Sequence, residues 1–281
     1  MLKKILLDIL KPLQIRDEKN IERIFKNFSF RNYEKGDIIF EQGSIPEHFV
    51  FVLDGLLAGK ILNKVTEQRY SILFFPGRWC CEEYLYENYP LSLNMIAEVE
   101  SSLIEIPFSI LREVIATESH VGEKFLNAIA IQAVRQNYIT LRRLYSNAIG
   151  KIFYTLLFLV EGNTFTLTNV RTDDEIRSDR LTINISQECL GKVSAAGRTT
   201  TSNLLKYFEM CGLLKVGYNR IDIHHLDQWL QCAHREAFST EWDSELTLDS
   251  AVKKLRHEHN DGNFIITSKA PAMHLINRSY I

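Results

Sequence analysis

Side chains able to hydrogen-bond to nucleotide base edges are concentrated in one short stretch of the chain, from Arg198 to Lys206. In the DNA major groove arginine pairs most often with guanine and asparagine with adenine, so Arg198 and Asn203 are the residues best suited to that chemistry. Other short or cationic polar residues accompany them: Thr199, Thr200, Ser202 and Lys206. An ordinary helix with a solvated polar face is the alternative, and the stretch alone leaves both interpretations open.

The residues around this stretch predict two helices joined by a tight turn. Ser186 is a good N-cap, and no helix breaker follows, so we predict a first helix over residues 187–193. Four small residues, 194–197, suit a tight turn, and a second helix should run from Arg198 to Cys211. Its apolar residues recur at helical spacing and should face the core, with Thr201 on the polar side; the predicted core positions are Leu204, Leu205, Phe208 and Cys211.

A short β-hairpin should follow the second helix. Gly212 ends that helix, and residues 213–223 read as two strands around a Gly-Tyr-Asn-Arg turn, which is the pattern of a wing. From 186 to 223 there are five Lys and Arg against three Asp and Glu. The local charge is therefore slightly positive, although the whole chain carries a net charge of -2. Because phosphate contact depends on local charge, the overall charge excludes nothing.

Length and composition indicate a folded protein of two domains. The chain has 281 residues, of which 46% are hydrophobic and 24% charged. Its five cysteines are odd in number and lack the spacing of a disulfide framework, so we expect free thiols and a cytoplasmic location. We expect no signal peptide, no membrane span, no metal and no cofactor.

The first half of the chain predicts a helix, a small β-domain and two more helices. Residues 17–30 have helical apolar spacing, and residues 32–107 alternate β-rich runs with glycine turns about every ten residues. This rhythm predicts an antiparallel barrel or sandwich ending near Pro107. A short helix over 107–116 and a long helix over 118–145 should follow.

The long helix has apolar residues at the alternating spacing of a coiled-coil seam: Ile131, Val134, Tyr138, Leu141 and Tyr145. This pattern favours a helix that pairs with a second copy of the chain. Alternatively the stripe packs on the barrel of its own chain, although Phe125, Leu126 and Ile129 lie off the seam and could serve that purpose instead. Further on, we predict a helix over 147–160 that ends at Gly162, and a hairpin formed by residues 164–170 and 180–186.

In this order of parts, the chain resembles the Crp/Fnr family of bacterial transcription regulators over roughly residues 17 to 230. The matching segments are YEKGDIIFEQG at 33–43, FVFVLDG at 49–55, Pro76-Gly77, GKIFYTLL at 150–157, and the helix pair with Leu190-Gly191, Arg198-Thr-Thr200 and Leu204-Leu205-Lys206. Each segment is weakly specific, but their order and spacing together are specific.

The resemblance implies an α+β fold with a cyclic-nucleotide-binding-like β-roll (1–117), a long dimerisation helix (118–146) and a winged helix-turn-helix (147–230). Residues 231–281 lie beyond the family match; they could shield the DNA-binding face, extend the dimer or form an accessory segment. Within them we predict a helix over 250–259, a turn over 260–263 and a strand over 264–267. The implied partners are palindromic double-stranded DNA, a second copy of the chain, RNA polymerase and a small-molecule effector. The family's base-reading positions fall on Arg198, Thr199 and Asn203, of which only Arg198 has the family's usual residue.

The segment where the family binds its effector departs from the cyclic AMP pattern. The family's Gly-Glu pair falls on Cys80-Cys81 and its Arg-Ser pair on Leu91-Ser92, so the phosphate-binding arginine is missing. A buried phosphate without a cation would be costly, and cyclic AMP binding in the usual mode is therefore not expected. A shift of one position would bring Glu82 to the ribose site but adds no phosphate partner, since Arg78 lies on the other side of the segment.

Three hypotheses for control then stay open. One is an apolar or aromatic effector bound by Tyr84, Tyr86, Tyr89 and Leu91, with Gln136 and Asn137 of the long helix coupling it to the dimer seam. The second is oxidation of Cys80-Cys81, and the third is that no ligand exists. Neither His224-His225 nor His257 and His259 have partners at metal-ligand spacing.

No nucleophile elbow, zinc motif or phosphate-binding glycine loop is found, so we do not expect an enzyme. The main hypothesis is a homodimeric transcription regulator. The rival is a ligand-sensing or interaction module whose degenerate helix-turn-helix no longer binds DNA.

Overall fold

The computed structural model describes residues 2–62, 69–86, 89–170, 179–238 and 244–256. It divides into two compact units, Met1–Thr140 and Leu141–Ile281. Helices and antiparallel sheets are both present, so the predicted α+β class is confirmed. The predicted turn at 260–263 and strand at 264–267 lie outside the described residues, as do His257 and His259.

The first unit begins with two helices, α1 (Leu2–Leu10) and α2 (Glu18–Asn27), separated by a 3-10 turn at Lys11–Leu13. Helix α2 confirms the helix predicted over 17–30, and Asp17 caps it by accepting a hydrogen bond from Lys19 N at 2.9 Å. Helix α1 was not predicted from the sequence. Four of its apolar side chains are buried, Ile5, Leu6, Ile9 and Leu10, which places this part of the N-terminal apolar patch in the core.

In the described part of the first unit, eight strands form two four-stranded antiparallel sheets. They are β1 (Ser29–Tyr33), β2 (Ile38–Phe40), β3 (His48–Asp54), β4 (Leu57–Leu62), β5 (Arg69–Phe74), β6 (Trp79–Cys80), β7 (Asn94–Ala97) and β8 (Ser101–Pro107). The sheet orders are β1-β8-β3-β6 and β2-β7-β4-β5, so the chain passes repeatedly from one sheet to the other. This arrangement confirms the predicted β-domain, including its end at Pro107.

Aromatic side chains fill the interior of this domain. Phe49 and Trp79 stack with ring centroids 4.1 Å apart, and Phe125 from the following helices lies 5.0 Å from Phe49. At Gly55 (φ +95°) an added Cβ would lie only 2.6 Å from the backbone oxygen of Glu100, so the β3–β4 turn requires glycine.

Two helices follow the strands, α3 (Phe108–Thr117) and α4 (Ser119–Tyr145), and both were predicted. The off-seam residues were expected to pack on the barrel of their own chain. This expectation is correct for Phe125, which is buried, but wrong for Leu126, which is 68% exposed. The two residues are neighbours and point about 100° apart around the helix, so only one of them can face the sheet.

The second unit begins with α5 (Ala148–Val170), and here the prediction was wrong in two respects. The helix does not end at Gly162, and residues 164–170 continue it instead of forming a hairpin strand. Side chains near the glycine bond back to the helix: Asn163 Nδ2 donates to Leu159 O at 2.9 Å, and Thr164 Oγ1 donates to Val160 O at 2.8 Å. These contacts satisfy the polar side-chain groups within the helix, so the alternating sequence pattern did not predict a strand correctly.

The rest of this unit comprises the helix pair, a small sheet and two C-terminal helices. These elements are β9 (Arg180–Ile183), α6 (Gln187–Val193), α7 (Arg198–Met210), β10 (Leu214–Gly217), β11 (Arg220–His224), α8 (Leu226–Phe238) and α9 (Leu248–Arg256). The sheet order is β10-β11-β9, all antiparallel. The helix at α9 was predicted near 250–259, whereas α8 was not predicted. In the described part of the chain, no helix is both long and apolar enough to cross a membrane.

Candidate nucleic-acid interface and sensor site

The helix pair α6–α7 is held by a cap and by one close contact. Ser186 Oγ accepts a hydrogen bond from Cys189 N at 3.1 Å, as the N-cap prediction requires. A Cβ added to Gly191 would lie 2.8 Å from Thr201 Oγ1, so the glycine lets the two helices approach closely. The sequence prediction that Thr201 faces outward is therefore wrong. It is fully buried against α6, and its hydroxyl donates to Gly197 O at 3.0 Å.

One face of α7 is polar and exposed. Thr199, Asn203 and Lys206 are separated by four and three residues, so they lie on the same side of the helix, and all three are exposed. Arg198 in the first turn is also exposed, whereas Thr200 and Ser202 are half-buried at the flanks. The structure therefore brings the sequence-predicted residues together on an accessible surface.

The opposite face of α7 is apolar and packed. Leu204, Leu205 and Phe208 are fully buried, as predicted. Cys211 is half-buried and forms the C-cap of the helix, so its assignment to the core was wrong, because the helix ends one residue before it. A helix with one packed and one polar face can enter a groove without losing its own support.

The wing places an aromatic side chain at its tip. Strands β10 and β11 pair from Leu214↔Ile223 to Gly217↔Arg220, and Tyr218 in the turn is 94% exposed. Lys215 and Arg220 are exposed on the same hairpin. The hairpin was predicted from the sequence. Tyr218 was not assigned to the candidate interface, although the sequence shows that Tyr218 lies in the turn.

Helix α9 contacts the C-terminal end of α7. The hydroxyl of Tyr207 donates to Asp249, and Arg256 Nη2 donates to Cys211 O at 2.6 Å. Tyr207 lies one turn and Cys211 two turns beyond Asn203, which stays exposed. Three roles were open for residues 231–281. The contacts of α8 and α9 favour the third role, an accessory segment of this unit.

A buried ionic cluster ties α8 to the rest of the second unit. Glu236 of α8 is 7% exposed, and its carboxylate lies 2.8 Å from Arg142 Nη1 and 2.9 Å from Lys254 Nζ. Tyr154 of α5 donates its hydroxyl hydrogen to the same carboxylate at 3.1 Å. Burial and the negative charge of Glu236 raise the pKa of Tyr154. No sequence motif predicts this cluster, because its members come from four helices.

In the first unit, the predicted effector segment follows β6. Cys81 has φ 67°, a left-handed conformation that glycine adopts most easily, and a 3-10 turn at Glu82–Tyr84 follows it. The backbone therefore favours the alignment shifted by one residue, in which Cys81 takes the place of the family's glycine and Glu82 that of its glutamate. In this alignment, too, the segment supplies no arginine.

The six predicted effector residues differ in their exposure and in their contacts. Tyr86 and Tyr89 are 63% and 65% exposed, and Tyr84 is half-buried. Leu91 is buried, and its backbone pairs with Gly43 and Ser44 at 2.8 Å. On α4, Gln136 Nε2 donates to Leu73 O at 3.1 Å, whereas Asn137 is exposed. Gln132, which the sequence analysis missed, accepts a hydrogen bond from Trp79 N at 3.1 Å.

The cysteines of this segment are unsuited to redox chemistry. Cys80 and Cys81 are buried, and burial raises the pKa of both thiols well above the usual value. The thiolate is the form that oxidises readily, so the protonated thiols should react slowly. Within the described ranges, no group of three or more His, Cys, Asp or Glu side chains is placed to hold a metal ion.

Two arginines and a carboxyl group near this segment have shifted pKa values. Burial lowers the pKa of Arg78 to about 10, while the nearby charges of Cys80 and Glu82 act in the opposite direction. Burial and the positive charge of Arg78 lower the pKa of Arg135 on α4. Burial, with the charge of Glu83, raises the pKa of Glu82 to about 7. Arg135 could not be found from the sequence, because only folding brings α4 to this segment.

Comparisons with known proteins agree with this architecture. Residues 30–118 match the family model of the cyclic nucleotide-binding domain. No curated protein sequence matches the chain. Among solved structures, a candidate cyclic nucleotide binding protein from Ruegeria pomeroyi is similar to it, with 14% identity, a TM-score of 0.55, and coverage of 83% of this chain and 96% of that one.

FixK2 from Bradyrhizobium japonicum is similar at 16% identity and a TM-score of 0.54, over 76% of this chain and 99% of that one. At these identities the likeness establishes the fold. The chain therefore carries a domain of the cyclic nucleotide-binding family in the fold of the Crp/Fnr regulators, as its resemblance to that family predicted.

Proposed function

We propose that the chain is a homodimeric, sequence-specific DNA-binding transcription regulator controlled by an effector other than cyclic AMP. The observation that carries this proposal is the exposed polar face of α7, on which Thr199, Asn203 and Lys206 lie together beside Arg198. The opposite face is packed, and a wing with exposed Lys215 and Arg220 follows. These cationic groups suit phosphate contact, and the polar face suits base contact.

The proposal of a homodimer rests on α4. Three of its seam residues are substantially exposed in the single chain: Val134 at 51%, Leu141 at 37% and Tyr145 at 66%. Ile131 and Tyr138, between them in the repeat, are half-buried. A second copy of the same helix would cover this stripe by coiled-coil packing. Two copies would present two recognition helices to a palindromic duplex, about 34 Å or one helical turn apart.

An effector other than cyclic AMP is proposed because the effector segment lacks the family's arginine. Leu91, at the position of that arginine in the first alignment, is buried and apolar, and Ser92 takes the position in the shifted alignment. A phosphate placed there would lose its water without gaining a cation. Contact with RNA polymerase and action in the cytoplasm would follow from the regulatory role.

Selection of bound sequences from random duplex DNA tests the proposal. We expect the full-length chain to enrich an inverted repeat, and binding to weaken steeply with salt, because each phosphate contact releases counterions. Failure to enrich any inverted repeat would favour the rival hypothesis, in which the helix-turn-helix has lost DNA binding.

Arg198→Ala should then relax selection at one base pair of each half-site and cost about 1–3 kcal/mol of discrimination there. Arg31→Ala, an exposed arginine of the first unit, is the matched control and should leave the selected sequence unchanged. If Arg198→Ala bound the selected operator as tightly and specifically as the unchanged chain, Arg198 would not be a base-reading residue.

A further inference from the structure

The carbonyl groups at the C-terminal end of α6 find hydrogen-bond donors outside the helix, as the last carbonyls of any helix must. Amides of the following turn supply two of these bonds, at 2.9 and 3.1 Å: Ala196 N donates to Gly191 O and Ala195 N donates to Lys192 O. The carbonyl of Val193, the last residue of α6, accepts from Arg143 Nη2 at 2.5 Å. Arg143 belongs to the last turn of α4, so a side chain 50 positions away holds the end of α6.

The guanidinium group of Arg143 is held by a second contact. Its Nε donates to Thr155 Oγ1 of α5 at 3.1 Å. Thr155 is fully buried, and its hydroxyl donates to Lys151 O at 2.8 Å, so this anchor is itself fixed. The N–H groups of a guanidinium lie in one rigid plane, and two partners therefore set both its position and its orientation. The last turn of α4 is thus tied to α5 and to the end of α6.

The same turn of α4 carries two residues of the proposed dimer seam. Leu141 and Tyr145 are exposed and four residues apart, so they lie on one side of the helix. Arg143 lies midway between them in the chain and, at about 100° per residue, points to the opposite side. A single helical turn therefore presents the seam on one side and contacts the helix pair on the other.

Val193 immediately precedes the short turn that places α7. This turn spans residues 194–197, and Ala195 within it has φ 51°, a left-handed conformation that is uncommon for alanine. Gly197 at its end is the N-cap of α7, and Arg198 follows directly. Because the turn is short and its backbone amides are hydrogen-bonded to α6, a displacement of the end of α6 would be passed on to the first turn of α7.

We propose that Arg143 is a positioning residue of the recognition helix: it transmits the placement of the last turn of α4 to the end of α6. In a dimer it sets the distance and angle at which the two copies of α7 meet the two half-sites. This inference rests on the proposed function of a dimeric DNA-binding regulator. Arg143 acts through the backbone of α6 and not by contact with a base.

Hydrogen exchange of the full-length chain, measured by mass spectrometry, tests the contact without any DNA. Arg143→Gln should speed exchange in the turn 194–197 by about five-fold or more, because the end of α6 loses a partner and opens more often. Arg235→Gln is the matched control. Arg235 is also half-buried, and its Nη2 donates to a backbone carbonyl, Lys254 O, at 2.8 Å, but it joins α8 to α9. This variant should leave exchange in the turn unchanged.

Binding to duplexes with altered half-site spacing tests the positioning role. One added base pair rotates one half-site by about 36°, so the unchanged chain should bind the selected spacing about ten-fold or more tighter than the lengthened one. Arg143→Gln should reduce this preference to about three-fold or less, while its affinity for a single half-site changes by less than about two-fold. A general loss of stability would weaken both kinds of binding and leave the preference for one spacing intact.

Two milder variants cover the case in which Arg143→Gln does not fold. Arg143→Lys keeps the charge and can still donate to Val193 O, but it cannot hold both partners in one plane, so it should retain part of the spacing preference. Thr155→Val removes the other anchor of the guanidinium with little change in side-chain size. It should also give an intermediate preference, whereas Arg235→Gln should keep the full preference of the unchanged chain.

The proposal is wrong if Arg143→Gln exchanges in the turn 194–197 as slowly as the unchanged chain does. It is equally wrong if the unchanged chain has no preference for one spacing, or if the Arg143 and Thr155 variants keep that preference in full. A failure of the proposed function would look different, because the unchanged chain would then bind no inverted repeat at all. Hydrogen exchange would still decide whether Arg143 holds the turn.

Discussion

At the scale of single residues, Glu82 is an acidic side chain held in an environment that favours its neutral form. Burial, with the neighbouring charge of Glu83, raises its pKa from 4.5 to about 7. The folded protein therefore binds a proton at Glu82 more tightly than the unfolded chain does. The contribution of Glu82 to the free energy of unfolding is largest below pH 4.5 and is lost as the pH rises to about 7.

Glu82→Gln should remove this pH dependence, because glutamine does not ionise. Relative to the unchanged chain, the variant should gain about 2 kcal/mol of unfolding free energy between pH 5 and pH 8. Urea denaturation at the two pH values measures the change. Glu100→Gln, at an exposed position, should show no such gain. A variant whose stability follows pH as the unchanged chain does would show that Glu82 is ionised in the folded state.

Gly191 is a second residue that determines the local structure, because it has no side chain. An added Cβ would meet the buried Thr201 at 2.8 Å, and the β-branched threonine cannot turn away easily. We expect Gly191→Ala to destabilise the chain by about 1–2 kcal/mol in urea denaturation, since overpacking outweighs the higher helix propensity of alanine.

Two variants control for this effect. Gly197→Ala adds a methyl group where no atom lies within 4 Å, so it should cost much less. Adding Thr201→Ala to Gly191→Ala should recover part of the loss, and a purely additive double variant would show that the two residues do not contact each other.

At the scale of elements, α8 and α9 complete the unit that carries the helix pair. Trp229 of α8 is fully buried, with its ring 5.9 Å from that of Phe208 on α7. Two turns further along the same side of α8, Glu236 pairs with Arg142 and Lys254. The C-terminal helices therefore support α7 through apolar contacts, while the ion pairs of Glu236 hold α8 to α4 and α9.

Glu236→Gln should destabilise the chain by about 3 kcal/mol, because the buried Arg142 and the half-buried Lys254 would lose the negative charge of the carboxylate that they share. Urea denaturation measures the loss. The matched substitution Glu245→Gln, at an exposed position after α8, should change stability by less than about 0.5 kcal/mol. Equal stability of the two variants would mean that the ion pairs of Glu236 add nothing to the fold.

At the scale of the whole molecule, the apolar stripe on α4 bears on the oligomeric state. Val134, Leu141 and Tyr145 repeat at the spacing of a coiled-coil seam and are exposed in the single chain. Leu126 on the same helix is also exposed but lies off the seam. A comparison between the two positions separates dimer contacts from general surface hydrophobicity.

Leu141→Glu should convert a dimer into a monomer, since it would place two like charges at an apolar interface. Sedimentation equilibrium measures the mass, and Leu126→Glu is the control that should remain dimeric. We expect the monomeric variant to lose most of its affinity for an inverted repeat, because only one half-site can then be bound at a time. A Leu141→Glu variant that stays dimeric would place the interface elsewhere.

The parts of this protein that depend on near neighbours in the chain could be predicted without a structure. The N-cap at Ser186, the small residues of the turn, the alternation of strands and glycine turns, and the seam of α4 are all local patterns, and the elements they predicted are present. The polar face of α7 was predicted for the same reason, because helical period alone decides which residues share a face.

Contacts between residues that are distant in the chain could not be predicted in this way. The burial of Thr201 depends on Gly191 in the preceding helix, and the Glu236 cluster draws on four helices. Trp79 and Gln132, which share a hydrogen bond, are 53 positions apart in the chain. Their proximity results from packing of α4 against the sheet. No local pattern predicts this packing, because it depends on the combined free energy of many side chains.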